Sequence, residues 1–259
     1  MGINFNNFVG KNKLKQSALM KQKLHRFLNS ILIKFGFALL TYPSGLLKRR
    51  IELMKKFNIN FVFDVGANTG QYASGLRAAG YNGEILSFEP LSKAFSILQK
   101  HILQDENWKA EHIGLGNFDG ETIINVAQNS VSSSILNIRK EHVEAVPESK
   151  YISQENITIR KLDSIFNKYE QKGKNYFLKI DTQGFEKEVI NGTLQSMDKI
   201  TGIQVEMSLV ELYEGESMYD DMKKLIESYG FELYSLEPGF SDPDSGKLMQ
   251  VDGIFFRKK

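Results

Sequence analysis

The chain has 259 residues, enough for one full α/β domain and an extension, and its 41% hydrophobic and 25% charged residues are ordinary for a soluble globular protein. It contains no cysteine, which excludes a disulfide framework, a Cys-ligated zinc site, an iron–sulfur cluster and a cysteine nucleophile. The net charge of +2 is unevenly divided, because residues 1–56 hold twelve of the 33 Lys and Arg residues but only one of the 31 acids, Glu52.

The N-terminal segment predicts a basic arm followed by two helices. Residues 1–20 are polar and rich in lysine, without apolar periodicity. From residue 21, apolar side chains recur at spacings of three and four, which is typical of an amphipathic helix: Leu24, Phe27, Leu28, Ile31, Leu32, Phe35 and Leu39. A second such helix, 46–57, leads into the first strand. The predicted division is therefore an arm with helices over 1–57 and a main domain over 58–259.

Two interpretations of the first helix stay open. It docks on the rest of the chain or on a partner subunit, or it rests as a basic amphipathic helix on an anionic membrane. The sequence has no stretch of 18 or more apolar residues and therefore predicts no ordinary transmembrane helix. We therefore expect a cytoplasmic protein, with peripheral membrane contact through residues 1–45 and homo-oligomerisation both left open.

The most informative stretch runs from Phe61 to Gly70. An apolar run reaches an acid, Asp64, and Gly66-Ala67-Asn68-Thr69-Gly70 follows before a helical pattern. This order predicts a buried strand, a tight turn and a helix, the place where open α/β sheets bind nucleotides. The loop has two of the three glycines of a dinucleotide fingerprint and lacks the lysine of a P-loop. It resembles motif I of the Rossmann-like S-adenosylmethionine (SAM) methyltransferases.

A second acid follows at the spacing of a ribose-binding residue. Residues 84–88 predict the second strand, which ends at Glu89-Pro90, and Glu89 lies 19 residues after Gly70. An acid at this point either accepts hydrogen bonds from ribose hydroxyls or is a structural strand-end residue. The third strand, within 108–115, runs into Gly114-Leu115-Gly116, where an adenine ring would lie.

The remaining pattern completes an α/β sheet. Two stretches, 121–127 and 156–161, predict an added β segment, and the polar stretch between them, which includes His142, is long enough to cover an active site. The fourth strand ends at Asp181 and the fifth at Glu206. A helix and a late pair of strands follow, so we expect a mostly parallel sheet with one antiparallel edge strand and helices on both faces.

Together these motifs resemble the FkbM family of SAM-dependent methyltransferases over residues 58–257. The matching pieces are Phe63–Gly70, Phe88-Glu89-Pro90, Gly114-Leu115-Gly116 with Asp119-Gly120, Ser132–Ser134, Leu162-Asp163-Ser164, Leu178–Glu186, Glu188–Gly192 and Asp252 before Ile254–Phe256. The resemblance implies a seven-stranded class I methyltransferase sheet. It also implies methyl transfer from SAM, most often to an oxygen of a sugar, a glycan or a small secondary metabolite.

The resemblance also assigns roles to residues at matching positions. Those of the first loop would surround the amino acid end of SAM: Asp64, Gly66, Asn68, Thr69 and Gly70. The next would hold the ribose and face the adenine: Glu89 with Pro90, then Gly114 and Leu115. Asp181 would lie near the sulfonium and the acceptor.

A hydroxyl acceptor needs a base that takes its proton as the new bond forms. Asp181 is the first candidate, Glu206 the second and His142 the third, since histidine titrates near neutral pH. Alternatively Asp181, Glu186 and Glu206 hold a divalent cation such as Mg²⁺, which we do not favour because three acids of unknown geometry are weak support. Each acid also has an ordinary structural alternative as a helix cap or an ion-pair partner.

The acceptor is expected to be a small molecule or a glycan, in a pocket shaped by residues 128–155, 207–219 and 237–247. Nucleic acid is not expected as a substrate, because the body of the chain is acidic. One alternative function is a non-catalytic domain that binds SAM or a nucleotide and is recruited through its basic arm. A nicotinamide-dependent dehydrogenase is a further alternative, disfavoured by the missing third glycine.

Overall fold

The computed structural model describes residues 20, 23–24, 26–37, 39 and 42–258, which fall into two compact units that divide between Ser44 and Gly45. Predictions for residues 1–19 lie outside the described residues. In the first unit residues 26–32 are helical, a 3₁₀ turn spans Ile33–Phe35, and Gly36 ends it in the left-handed conformation with φ of 79°. Within the described ranges no helix combines the length and apolar character needed to cross a bilayer.

The second unit contains two sheets. Their strands, in chain order, are β1 Phe61–Val65, β2 Glu84–Phe88, β3 Trp108–Glu111, β4 Gly114–Leu115, β5 Gly120–Ala127, β6 Tyr151–Arg160, β7 Tyr176–Ile180, β8 Ile200–Ser208, β9 Phe231–Pro238 and β10 Gln250–Arg257. The large sheet has seven strands in the order β3-β2-β1-β7-β8-β10-β9, and the small one has the order β4-β6-β5.

The predicted fold class is confirmed by the large sheet. Its first five strands pair in parallel, whereas β10 runs antiparallel to both β8 and β9. The antiparallel strand β10 lies second from the edge. Strand β9 forms the edge itself, and β10 lies between β9 and β8. The carboxyl ends of β1, β2, β7 and β8 consequently share one edge of the sheet.

Helices cover both faces of this sheet, as the alternation of strand side chains requires. Phe63 and Leu178 belong to the core on one face, while Val62 and Phe177 belong to the core on the other. The first face carries Leu162–Ile165, Glu186–Asn191 and Tyr219–Ser228, and the second carries Gly45–Lys56, Gln71–Ala78 and most of Ser92–Ile102.

The helix Gly45–Lys56 packs against the large sheet. Its Ile51 and Met54 are buried in the same core as Val62, and the following Phe57 stacks on Phe256 with ring centroids 4.0 Å apart. The predicted division at residue 57 places this helix with the N-terminal arm, but its apolar stripe faces the sheet of the second unit.

The small sheet confirms the predicted added β segment. Strands β5 and β6 pair antiparallel along their length, and β4 adds a short parallel edge. Its apolar face packs on Leu91 and Ala94 through Ile124, Ile157 and Ile159. This sheet therefore stands beside the carboxyl edge of the large one.

Candidate functional site

A cavity of about 490 Å³ opens at the carboxyl edge of the large sheet. This volume lies in the range of small-molecule sites. One wall is formed at the carboxyl ends of β1, β2, β7 and β8, where Gly66, Glu89, Asp181 and Glu206 lie; Glu206 is still within β8, which continues to Ser208. The facing wall comes from the small sheet and from the polar stretch 129–133. The predicted strand-end residues are thus brought together at one cavity.

The loop after β1 depends on glycine at position 66. Gly66 has φ of +73°, and a Cβ atom built on it would lie 1.8 Å from the carbonyl oxygen of Asp181. Only glycine lets the end of β1 approach the end of β7 this closely. The amides of Gly66 and Ala67 both donate to the carbonyl of Phe88, at 3.1 and 3.0 Å, which ties the loop to β2.

Glu89 joins two loops at the cavity wall. Its Oε2 accepts a hydrogen bond from the amide of Asn68 at 2.7 Å, and its Oε1 accepts one from the amide of Leu91 at 2.8 Å. Burial raises the pKa of Glu89 to about 7 in spite of these two bonds. Each carboxylate oxygen keeps a further lone pair for a ligand hydroxyl.

Asp64 and Lys179 form a buried pair beneath the loop. They are register partners on β1 and β7, so their side chains lie side by side, with Nζ 3.2 Å from Oδ1. Burial by itself lowers the pKa of Lys179, but the carboxylates of Asp64 and Asp181 outweigh it and the pKa is raised. Ser87 donates to Asp64 Oδ2 at 3.0 Å.

The placement of Asp64 differs from the role that the family resemblance implies. Its carboxylate is fully buried and turned to Lys179, and it is absent from the cavity lining. Lys179 lines the cavity instead, because it extends from the next strand with its ammonium 3.1 Å from the carbonyl of Gly66.

The other loop residues divide between lining and packing. Gly66 and Asn68 line the cavity, whereas Thr69 and Gly70 do not. Gly70 has φ of +91°, and an added Cβ would meet Leu98 and Trp108 at 2.9 Å. The second glycine of the motif therefore serves close packing on the helix Ser92–Ile102.

The predicted adenine end is an apolar recess. Pro90, Gly114 and Leu115 all line it, and a Cβ on Gly114 would lie 2.6 Å from Cδ1 of Ile159. Ile124 and Ile157 of the small sheet complete the surface. The end of the cavity where the resemblance places the adenine is therefore lined mainly by apolar side chains.

Two acids at the opposite end are bridged by Gln183. Its amide nitrogen donates to Asp181 Oδ1 and to Glu206 Oε2, both at 2.9 Å, and its Oε1 accepts from the hydroxyl of Tyr213 at 2.7 Å. Gln250 also donates to Glu206 Oε2, at 2.8 Å. Oε1 of Glu206 receives no hydrogen bond from the residues that the structure describes.

The charges around Glu206 make it an unusual acid. Burial first, and then the carboxylates of Asp181, Glu186 and Asp252, raise its pKa well above the ordinary value. Asp252 is its register partner on β10, so the two side chains share one face of the sheet.

Glu186 is turned away from the cavity. It accepts from the amides of Thr182 at 2.7 Å and Gly184 at 3.2 Å, at the start of its own helix. Burial raises its pKa to about 7. Among the described residues no group of three or more His, Cys, Asp or Glu side chains is arranged to hold a metal ion, and this includes Asp181, Glu186 and Glu206.

His142 lies in the cavity wall on the short helix Lys140–Ala145. It is buried, edge-on to the ring of Tyr213 at 5.3 Å and 5.6 Å from that of Phe240. Burial lowers its pKa to about 4, so the imidazole is neutral at pH 7. Its Nδ1 has no hydrogen-bond partner within the described ranges.

The segments expected to shape the acceptor pocket contribute unequally. The first segment lines the cavity through residues 129–133, Ile135, His142 and Val146, and the third does so through Phe240. Residues 207–219 do not line it but support lining residues, because Tyr213 donates to Gln183 and Ser208 accepts from Gln250. Sequence reasoning missed Gln183, although its place before Gly184 in a turn after a strand is a usable signal, and the residue adopts φ of +57°.

Tyr72 is a further lining residue that the sequence analysis missed. Two cations lie over its ring, the guanidinium of Arg50 at 5.3 Å and the ammonium of Lys179 at 5.4 Å from the centroid. Its hydroxyl donates to Gln204 at 3.0 Å, and Arg50 pairs with Glu237 at 2.6 Å. The helix Gly45–Lys56 is thereby joined to the cavity wall.

Comparisons with known proteins identify the family of the chain. A "Methyltransferase 1" of Beauveria bassiana is 23% identical over 203 residues, which are 74% of this chain and 80% of that protein. The solved methyltransferase FkbM of Methylobacillus flagellatus is 15% identical with a TM-score of 0.47, covering 76% of this chain and 44% of that one. This chain thus spans less than half of that structure's length.

A further solved structure, TehB from Haemophilus influenzae, is 9% identical with a TM-score of 0.46, covering 84% of this chain and 63% of that one. The family model described as the methyltransferase FkbM domain matches residues 64–233, from Asp64 on β1 into β9. More than half of the sequence is matched, and the chain belongs to the FkbM methyltransferase family.

Proposed function

We propose that the protein transfers a methyl group from SAM to a hydroxyl oxygen of a sugar, a glycan or another small molecule. The observation that carries this proposal is the distribution of acids along one cavity. Glu89 stands at the end of β2, and the bridged pair of Asp181 and Glu206 stands at the ends of β7 and β8.

The residues around the cavity suit SAM. A ligand with a sulfonium and an ammonium group is complementary to a wall that holds several carboxylates. Glu89 would accept hydrogen bonds from the ribose hydroxyls, and Gly114 with Leu115 would contact the adenine.

When bound, SAM supplies an activated methyl group. The protein's part is to position the acceptor hydroxyl and to remove its proton. Glu206 is suited to this task, because two amide groups fix its Oε2 while Oε1 has no donor among the described residues. Its raised pKa makes it a stronger base than an ordinary carboxylate.

Asp181 has a different role in this proposal. Its carboxylate lies 3.6 Å from the ammonium of Lys179 and accepts from Gln183, so both oxygens are engaged. It would balance the positive charge of the cofactor rather than take the proton. A hydroxyl acceptor fits these two roles, because a hydroxyl group needs a base such as Glu206 to take its proton.

Isothermal titration of the full chain with SAM, S-adenosylhomocysteine and NAD tests the cofactor. We expect both adenosyl compounds to bind and NAD not to bind. Release of S-adenosylhomocysteine from SAM in the presence of hydroxylated acceptors tests turnover. SAM binding without any release would favour the non-catalytic alternative, and tight NAD binding without SAM binding would remove the proposal.

A further inference from the structure

The described part of the N-terminal unit is a helix whose chain folds back at its end. We call residues 23–39 of this unit, as far as the structure describes them, the hook. After helical residues 26–32 and the turn Ile33–Phe35, Gly36 reverses the chain. The side chain of Asn29 then holds the returning segment, donating to the carbonyl of Leu39 at 2.9 Å and accepting from its amide at 2.6 Å. The hook is therefore fixed by its own hydrogen bonds.

Large apolar side chains of this hook are exposed. Six of them have between 42% and 72% of their surface in contact with solvent: Leu24, Phe27, Ile31, Ile33, Phe35 and Phe37. Single exposed apolar residues are common on protein surfaces, but a group of this size within 14 residues marks an interaction surface. Phe27 and Ile31 lie one helical turn apart, so they share a face.

The charge of the same segment has one sign. Residues 1–51 contain no Asp or Glu, and residues 1–44 hold seven Lys or Arg. Three of these, Lys23, Arg26 and Lys34, are exposed in the hook beside the apolar side chains. The surface therefore offers apolar area and positive charge together.

We propose that residues 23–37 bind the surface of an anionic lipid bilayer, with the apolar side chains in the boundary between headgroups and acyl chains. Basic amphipathic helices bind such surfaces through buried apolar area and attraction to anionic lipids. Nucleic acid would satisfy the charges but would leave the apolar side chains in water. A second hook would bring charges of the same sign together.

This surface is independent of methyl transfer, and its test uses the full chain. Co-sedimentation with vesicles of phosphatidylcholine alone and with added phosphatidylglycerol measures binding. We expect binding to the anionic vesicles, weaker binding at high salt, and a loss of at least about tenfold in the double variant Phe27→Glu, Ile31→Glu. Charge reversal at Lys23, Arg26 and Lys34 should cause a comparable loss.

The matched control is the double variant Leu103→Glu, Ile152→Glu, which changes two side chains of the second unit that are 85% and 64% exposed. It should bind vesicles like the unchanged protein, and all variants should keep their circular dichroism. Absence of vesicle binding, or equal binding by the Phe27 and Ile31 variant, overturns the proposal. Self-association of the protein in light scattering that the Phe27 and Ile31 variant abolishes also overturns it. The same holds if the protein binds DNA but not vesicles and this variant still binds DNA.

Discussion

Glu206 is the residue on which proton removal depends in the proposed reaction. Replacing it with glutamine keeps the size of the side chain but removes the base, so kcat should fall by roughly 10²–10⁴-fold while SAM affinity changes little. Glu232→Gln, at an exposed position of β9, is the control and should leave kcat unchanged. Steady-state kinetics and titration measure the two quantities. Equal kcat in the Glu206 variant would assign the proton to another group.

The pH profile tests the same residue. Because the pKa of Glu206 is raised, the rate should increase with pH through that raised pKa as the carboxylate forms. The increase should be absent from the residual activity of the glutamine variant. An identical pH profile in both proteins would contradict the assignment.

Glu89 predicts a pH dependence of cofactor binding. Its pKa of about 7 lies above that of an unfolded carboxyl, so the stability that its proton contributes is present below pH ~4.5 and is lost as pH rises through about 7. Ribose hydroxyls donate to the carboxylate form. SAM binding should therefore release a proton near pH 6, and affinity should increase up to roughly pH 8. Titration in two buffers of different ionisation enthalpy measures that proton.

Part of the site could be predicted from single residues. Glu89 and Asp181 each follow an apolar strand, Glu206 lies near the end of the next one, and parallel strands bring such residues to one edge. The pairing of Asp64 with Lys179 could not be predicted, because it depends on the register of two strands that are far apart in the chain. Tyr72 was missed for the same reason, since its neighbours come from β7 and an N-terminal helix.

At the scale of elements, the junction of β1 and β7 depends on Gly66. Gly66→Ala should destabilise the protein by several kcal/mol or displace Asp181, because a carbonyl oxygen stands 1.8 Å from the new Cβ. Gly75→Ala is the matched control within the following helix, where an added Cβ meets nothing within 4 Å, and it should stabilise by about 0.5–1 kcal/mol. Urea unfolding measures both. A stable Gly66→Ala protein with unchanged SAM affinity would contradict this reading of the loop.

The helix Gly45–Lys56 should be an integral part of the second unit. Met54→Ala removes a side chain that is 1% exposed and should cost about 2–5 kcal/mol. Lys55→Ala, at the next and exposed position, should change stability by less than ~0.5 kcal/mol. Equal unfolding midpoints for the two variants would show that the helix is not packed on the sheet.

The sequence predicted the central elements and left their edges open. Strands β1 and β7 are continuous apolar runs and are buried on both faces. The place of β10 beside β8 follows from the crossover that delivers β9, which no local pattern encodes. The family resemblance begins at residue 58, so the predicted division leaves the helix Gly45–Lys56 with the basic arm, whereas in the structure Arg49 bonds the backbone of Tyr234 and Arg50 pairs with Glu237.

At the scale of the whole molecule, the two proposed interactions belong to parts of the chain that carry opposite net charge. The basic residues concentrate in the N-terminal 56 positions, so the remainder carries a net charge of −9, and its cavity presents carboxylates to a cationic ligand. The proposed cofactor and the proposed lipid surface thus interact with regions of opposite sign. Loss of the hook should change vesicle binding without changing SAM affinity.

The most direct test of the proposed function is transfer of an isotopically labelled methyl group. The full chain is incubated with methyl-labelled SAM and a panel of sugars, glycans and hydroxylated small molecules, and products are identified by mass spectrometry. We predict label on an oxygen of one acceptor class, with equimolar S-adenosylhomocysteine, and loss of both products in Glu206→Gln. Label on nitrogen or carbon, or SAM binding with no labelled product and no S-adenosylhomocysteine, would contradict it.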